Sequence, residues 1–206
     1  MILFFDGDSS SVSDAGIWIK SIREYVEKEE LISVKIGEDV DWNRVCRFLE
    51  DAQAIVLAAD VYMDSVSPRV LDLLERIEQA VIGGESISAK FYAILHTDLY
   101  EGEQTSIAMA VLKNFCEHAN ITWGRGLGIG GNNLKAALQG GILWKRPDRE
   151  KTDFRLPFLH EHVLFIREKM QGTDVYICPD GVSRGQYIRQ NNRQNKKNNR
   201  VKVAEY

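Results

Sequence analysis

The turn after the first apolar segment is well suited to hold a phosphate group. It carries serines at three alternate positions, Ser9, Ser11 and Ser13, shortly after Gly7. Ser11 or Ser13 can cap a following helix, and the free amides of a helix start, together with hydroxyl groups, bind phosphate without a lysine. The Gly-Lys-Ser/Thr ending of a P-loop is missing. Serine and aspartate are also the usual residues of turns and caps, so the sequence leaves both interpretations open.

A second candidate loop follows the apolar run 54–59 and extends from Asp60 to Pro68. Tyr62 and Met63 stand at the mouth of what reads as a buried strand, where they can pack against a flat, partly apolar ring. The alternative is that Tyr62 is a rim residue and Ser65 a helix cap. A third loop, 96–104, mixes donors, acceptors and an aromatic residue, a pattern that is common in polar loops.

The glycine-rich segment 126–131 formally satisfies the pattern G-x-G-x-x-G between a strand and a helix. A true dinucleotide fingerprint opens the first strand–helix unit and is followed by a strand that bears an acidic residue. Here the motif closes the series of strands. The sequence therefore disfavours a nicotinamide dinucleotide site at this segment.

The elements that must position these loops alternate along the chain. Apolar runs predict five strands, separated by segments of helical period. The predicted strands are 2–5, 31–36, 54–59, 91–95 and 121–129, and the predicted helices lie near 17–26, 42–49, 70–81, 107–119, 132–138 and 157–170. This alternation predicts an α/β fold, a three-layer αβα sandwich around a parallel sheet. Five strands favour the flavodoxin-like order 2-1-3-4-5, in which ligands bind at the carboxyl ends of the strands.

Length and charge distribution fit one domain with an appendage. The chain has 206 residues, 44% hydrophobic and 27% charged, as in ordinary globular proteins. We expect a domain over 1–175, with its core in 1–140, and a polar, basic tail over 181–206. Seven basic and no acidic residues lie between Arg184 and Lys202, although the whole chain has a net charge of −4. A nucleic-acid partner is not expected, except through this tail, which is otherwise a solvated end or an arm for an acidic partner.

Other features exclude further classes of protein. No apolar stretch approaches the roughly 18 residues of a membrane span, and the segment after Met1 is too short for a signal peptide, so we expect a cytoplasmic protein without a membrane partner. We expect the three cysteines, which lie far apart, to be reduced and mostly buried. His160 and His162 lie on different faces of a helix, so no metal site is expected.

Three of these segments resemble a bacterial group of flavodoxin-fold NAD(P)H-dependent FMN reductases. In that group a P-L-Y-V-D-S-L-P loop follows strand three, and E-x-x-Q begins the helix after strand four. The pattern F-C-x-x-A-x-I-x-W-G-x-G-L-G-I-G-G then runs through strand five. The matching stretches here are Asp60–Pro68, Glu101–Gln104 and Phe115–Gly131, of which the last is long and specific.

The resemblance implies FMN at the strand ends, with hydride transfer from NAD(P)H through FMN to an unknown small-molecule acceptor. Ser9, Ser11 and Ser13 would take the phosphate. The isoalloxazine would be bordered on one side by Val61, Tyr62, Met63, Asp64 and Ser65, and on the other by Thr97, Asp98, Leu99 and Tyr100. The resemblance also implies a homodimer.

The chain departs from the group's pattern at the strand ends. Asp60 replaces the proline of the tyrosine loop, and His96-Thr97-Asp98 replaces Asn-Cys-Gly. With Asp8, these changes place three extra carboxylates around an anionic cofactor, and their repulsion would weaken its binding. An alternative is therefore a flavodoxin-fold binding or regulatory module that has lost its flavin. Another alternative is a response-regulator receiver domain with Asp60 as the phosphate acceptor. The sequence disfavours it, because the chain lacks the lysine that receiver domains carry after strand five.

Overall fold

A computed structural model describes residues 1–7, 31–37, 40–131, 157–179 and 183–193. The strands in these segments are β1 (Ile2–Asp6), β2 (Leu31–Lys35), β3 (Ala54–Asp60), β4 (Lys90–Thr97), β5 (Thr122–Gly130) and β6 (Val175–Ile177). The helices are α1 (Trp42–Asp51), α2 (Pro68–Ile82), α3 (Ser106–His118), α4 (Pro157–Arg167) and α5 (184–193), and a 3-10 turn (Gly102–Thr105) precedes α3.

The strands form one parallel sheet in the order β2-β1-β3-β4-β5-β6. The five predicted strands and their order 2-1-3-4-5 are thus confirmed. The sheet has six strands where five were predicted. The sixth, β6, pairs with β5 from Leu127↔Val175 to Ile129↔Ile177. The predicted helices near 17–26 and 132–138 lie outside the described residues, and the domain boundaries at 175 and 181 stay a prediction.

The central strands are apolar throughout because helices cover both faces of the sheet. Alternate residues of β1 point to opposite sides: Leu3 and Phe5 join a core with α1, α2 and α3, whereas Phe4 joins a core with α4. On the α4 side the core includes Val163 and Ile166, both fully buried. The described chain therefore forms the three predicted layers.

Helix boundaries follow ordinary capping chemistry. The side chain of Asp41 accepts a hydrogen bond from the amide of Arg44 at the start of α1. Helix α2 has Pro68 in its first turn, where the missing amide proton is not needed. It ends at Ile82, one residue beyond the predicted range, and Gly83 is its C-cap. Pro68 thus starts α2 immediately after the loop that follows β3.

Close packing explains the glycines of β5. A Cβ at Gly126 would collide with Met109 of α3, and one at Gly128 with Thr105 of the 3-10 turn. At Gly130 it would collide with the backbone of the loop after β4. Glycine in these positions lets α3 and its preceding turn lie directly on the sheet. This packing role agrees with the expectation that the motif is not a dinucleotide fingerprint.

The cysteines and histidines separate by environment. Cys116 is buried, and burial raises the pKa of its thiol to about 12. The expectation of mostly buried cysteines is wrong for Cys178, which is exposed, and Cys46 is half-buried. His160 is exposed and His162 is buried, as expected for different faces of α4. Across the described segments, no cluster of His, Cys, Asp and Glu suits a metal ion, and no helix is long and apolar enough to cross a membrane.

Candidate ligand-binding site

The carboxyl ends of the central strands meet at one edge of the sheet, here called the carboxyl edge. The amide of Gly7 donates to the backbone carbonyl of Ala58 at 2.8 Å, and the amide of Val61 donates to the backbone carbonyl of His96 at 2.7 Å. These bonds hold the starts of the loops after β1, β3 and β4 side by side. Ser9, Ser11 and Ser13, the predicted phosphate ligands, lie outside the described residues.

The loop after β3 is a tight hairpin turn. The amides and carbonyls of Tyr62 and Ser65 exchange two hydrogen bonds, at 2.9 and 3.1 Å. Between them Met63 and Asp64 have φ angles of 49° and 67°, a left-handed conformation that costs about 1 kcal/mol or more for a residue other than glycine. The turn places Met63 at its tip, 99% exposed, beside Tyr62 at 62%.

Two buried valines anchor this turn. Val61 and Val66 are 7% and 4% exposed and belong to the core on the α2 side. Val61, which was expected to border the ring, thus turns its side chain into the core, while its backbone bonds to β4. Because both ends of the turn are fixed, the strained conformation at its tip is maintained by tertiary contacts.

Asp60 and His96 form a buried pair at the base of the site. His96 Nδ1 lies 2.9 Å from Asp60 Oδ1, with side chains only 1% and 11% exposed. The hydroxyl of Tyr62 lies 3.5 Å from the second carboxylate oxygen. The imidazole therefore donates to the carboxylate, and Asp60 is engaged within the protein.

This pair joins two of the positions at which the chain departs from the reductase pattern. From the sequence, Asp60 was expected to be an added charge facing the cofactor, and its pairing with His96 was not predicted. The signal that would have found the pair is strand register, because Asp60 and His96 are cross-strand partners in β3 and β4. That register follows from aligning the apolar runs 54–59 and 91–95, and it places both residues at the same edge.

The loop after β4 contributes a second exposed apolar group. Thr97 is buried, and its Oγ1 accepts a hydrogen bond from the amide of Leu99 at 3.3 Å. The Leu99 side chain is 54% exposed. Asp98 is also exposed, and Tyr100 is half-buried. The loop is thus bent back on Thr97, with Leu99 and Asp98 facing outward.

Helix α5 covers the other side of this loop. Tyr187, only 3% exposed, donates a hydrogen bond to the backbone carbonyl of Asp98 at 2.5 Å. Its ring centroid lies 5.6 Å from that of Tyr100. Arg184 forms an ion pair with Glu101. We call these contacts between α5 and the loop the C-terminal clasp. The segment 181–206 was predicted to be a polar, basic tail, and the clasp was not predicted. The signal that could have indicated it is one aromatic residue, Tyr187, in a polar segment.

The described site therefore combines exposed apolar side chains with buried supports. Tyr62 and Met63 on one loop and Leu99 on the next are exposed at the carboxyl edge. The Asp60–His96 pair lies beneath the first loop, and the clasp lies against the second. Such a surface suits a flat ligand with apolar faces.

Comparisons with known proteins agree on architecture alone. No family model matches the chain, and no curated protein matches its sequence. Among solved structures it is similar to the apo form of an NADH:FMN oxidoreductase, with 11% identity, coverage of 83% of this chain and 90% of that one, and a TM-score of 0.57. It is also similar to an NADPH-quinone reductase from P. pentosaceus, with 10% identity, 80% and 95% coverage and a TM-score of 0.56.

A flavodoxin from Streptococcus pneumonia TIGR4 gives a third match. Its identity is 12%, coverage is 82% of this chain and 97% of that one, and the TM-score is 0.51. At such identities the likeness concerns the course of the backbone, and it spans nearly the whole length of each neighbour. Together with the parallel sheet and its strand order, it shows that the chain has the flavodoxin-like fold.

Proposed function

We propose that the protein binds FMN at the carboxyl edge and transfers hydride from NAD(P)H to a small-molecule acceptor. The observation that carries the proposal is the exposure of Tyr62, Met63 and Leu99 on two neighbouring loops. Large apolar side chains grouped on a rigid surface indicate a ligand that covers them. The fold shared with an NADH:FMN oxidoreductase and an NADPH-quinone reductase supports the same ligand class.

The two loops fit the ring system of a flavin. The hairpin turn is fixed by its own hydrogen bonds and by Val61 and Val66, so little ordering entropy is lost when a ring packs against Tyr62. The sequence suggested that the added carboxylate of Asp60 would repel the anionic cofactor. Its pairing with His96 reduces that repulsion, because the carboxylate is directed at the imidazole. The phosphate would rest on Ser9, Ser11 and Ser13, as the resemblance implies.

The protein's own residues would bind and orient the ring rather than act as acids, bases or nucleophiles. FMN, when bound, supplies the hydride chemistry. Tyr62 and Leu99 would exclude water from the ring. The exposed carboxylates of Asp64 and Asp98 would disfavour negative charge on the reduced ring and lower its potential. A redox titration that gives a potential above that of free FMN would contradict this last point.

The direct test is a titration of the purified full-length protein with FMN, followed by flavin fluorescence and by the visible spectrum. We expect quenching and a bound-flavin spectrum, and weakening of binding by about tenfold in Tyr62→Ala. Ile82→Ala is the matched control, because Ile82 is 71% exposed at the far end of α2. Equal affinity in both variants would exclude this loop as the binding surface.

A second candidate is a binding or regulatory module without flavin. The observation in its favour is that the loops after β3 and β4 each carry an exposed carboxylate, Asp64 and Asp98. These charges would repel an anionic cofactor. A colourless protein that does not quench FMN fluorescence would support this module and end the oxidoreductase proposal.

A further inference from the structure

We propose that a cavity between β2 and α1 is a second ligand site, which binds an aromatic acid, a flat apolar ring that carries a carboxylate or phosphate group. The cavity has a volume of about 470 Å³, within the roughly 300–1,000 Å³ of small-molecule sites in proteins. None of its described lining residues belongs to the loops after β3 and β4, on which the proposed flavin site rests. Ligand binding here therefore does not depend on flavin.

Five apolar side chains form part of the lining. Ile36 and Val45 are 6% and 2% exposed and belong to the core on the α1 side of the sheet. Val34, Val40 and Phe48 are half-buried and pack against the same core. A ring that enters the cavity would cover apolar surface that is now partly open to water, which favours binding.

Two exposed arginines line the same cavity, Arg44 from α1 and Arg69 from the first turn of α2. The guanidinium carbon of Arg44 lies 5.2 Å from the centroid of the Phe48 ring, so this planar cation is held against an apolar group. Within the described residues neither arginine forms an ion pair with a carboxylate. Lys35 and Asp41 also line the cavity. Positive charge therefore exceeds negative charge in the described lining.

Backbone contacts place the start of α2 beside the end of β2. The amide of Ile36 donates to the backbone carbonyl of Asp6 at 2.9 Å, and the hydroxyl of Ser67 donates to the backbone carbonyl of Gly7 at 3.5 Å. The end of β1 thus joins the residue that follows β2 to the residue that precedes α2. Arg69 comes two residues after Ser67, which brings its side chain to the cavity.

A contact between the two helices completes this frame. The guanidinium carbon of Arg76 in α2 lies 4.8 Å from the centroid of the Trp42 ring, and Trp42 is the first residue of α1. Because α1 and α2 are in contact, Arg44 and Arg69 meet at one cavity before any ligand binds. Little ordering entropy is then lost on binding.

The combination of these groups defines the ligand class. Apolar side chains alone would suit a neutral ring, and two arginines alone would suit inorganic phosphate. Both together suit a ring with an anionic group, because guanidinium groups bind carboxylate or phosphate oxygens through paired hydrogen bonds. The stacked Arg44 and Phe48 are both flat, which favours a flat ring over an alkyl chain.

The test measures binding of naphthoate and of naphthyl phosphate to the flavin-free full-length protein by calorimetry, with naphthamide as the neutral counterpart. In Arg44→Gln/Arg69→Gln we expect the affinity for both acids to fall at least about tenfold. Naphthamide should bind more weakly than the acids and equally to variant and parent. Arg47→Gln is the matched control, because Arg47 is an exposed arginine of the same helix that does not line the cavity.

Backbone amide chemical shifts locate the ligand. We expect naphthoate to change the shifts of Gly37 and Val40, which line the cavity, and to stay bound at saturating FMN. Equal affinity for naphthoate and naphthamide, equal affinity in the double variant and the control, or displacement by FMN would overturn the proposal. FMN affinity should be the same in the double variant and the parent, so failure of this site and failure of the flavin site are separate results.

Discussion

The hydroxyl of Tyr187 donates a 2.5 Å hydrogen bond to the backbone carbonyl of Asp98, 89 positions earlier in the chain. Tyr187→Phe removes this donor and leaves a carbonyl without its partner, which costs about 1 kcal/mol of unfolding free energy. We expect that loss in urea denaturation, together with FMN binding weakened by up to about fivefold as the loop loosens. Tyr62→Phe is the comparison for stability, since the contact of its hydroxyl with Asp60 is long, at 3.5 Å, and exposed. Unchanged stability and FMN affinity in Tyr187→Phe would show that the hydroxyl does not hold the loop.

The Asp60–His96 pair predicts a measurable coupling. Asp60→Ala leaves the Nδ1 group of His96 buried without its carboxylate, and we expect a loss of about 1–3 kcal/mol. His96→Leu should remove the same interaction from the other side, because leucine has no hydrogen-bond donor, so the double variant should lose less than the sum. A double-mutant cycle in urea measures this coupling, expected to be about 1 kcal/mol. Additive losses would show that the two side chains act independently.

The left-handed turn at Met63 and Asp64 predicts opposed effects on stability and binding. Asn-Gly is preferred in two-residue hairpin turns because both positions need positive φ. Met63→Asn/Asp64→Gly should therefore raise the unfolding free energy by about 1 kcal/mol, while weakening FMN binding because the exposed methionine is lost. Denaturation and FMN titration of one preparation give both values. A fall in stability would mean that the turn is not strained.

His162 predicts a dependence of stability on pH. Burial, with a smaller effect of the nearby Arg125, lowers its pKa from 6.5 to about 3. Between these values the unfolded chain binds the extra proton and the folded chain does not. Stability therefore falls as pH decreases from 6.5 towards 3, by roughly 1 kcal/mol per pH unit from this group.

The variant His162→Leu removes that contribution. Within the described residues neither ring nitrogen of His162 has a hydrogen-bond partner, so an apolar side chain of similar size should be tolerated at neutral pH. As the pH falls below 6.5, the free energy of unfolding of the variant should therefore increasingly exceed that of the parent protein. A constant difference between pH 7 and pH 4 would show that His162 is protonated in the folded protein.

The strands and the layered fold could be predicted from hydrophobic periodicity alone, because the strands are apolar and separated by segments of helical period. The runs 2–5 and 54–59 lie in the sheet as predicted, and β5 follows the matched glycine pattern. The three residues of β6 are too few to show a period, and only their pairing with β5 defines them as a strand. The chain from 175 to 177 thus takes its structure from a distant partner.

The site was predictable as a location but not in its internal contacts. The loops after β3 and β4 lie at the carboxyl edge, as parallel topology requires, yet no local rule predicts a left-handed turn at Met63-Asp64. Anchoring by Val61 and Val66 overrides the preference for glycine or asparagine there. Tyr187 was missed for a similar reason, since its partner is set by tertiary structure.

The C-terminal clasp also sets an order of events during synthesis. The loop at Asp98 cannot obtain its bond from Tyr187 until translation has advanced by 89 further residues, which takes roughly 4 to 18 seconds at bacterial or eukaryotic rates. During that interval β3 and β4 can already pair, while the loop beside them lacks its outer support. A ribosome-bound chain that ends before Tyr187 should therefore carry the sheet but an unsupported loop, so that the ligand site matures after the fold.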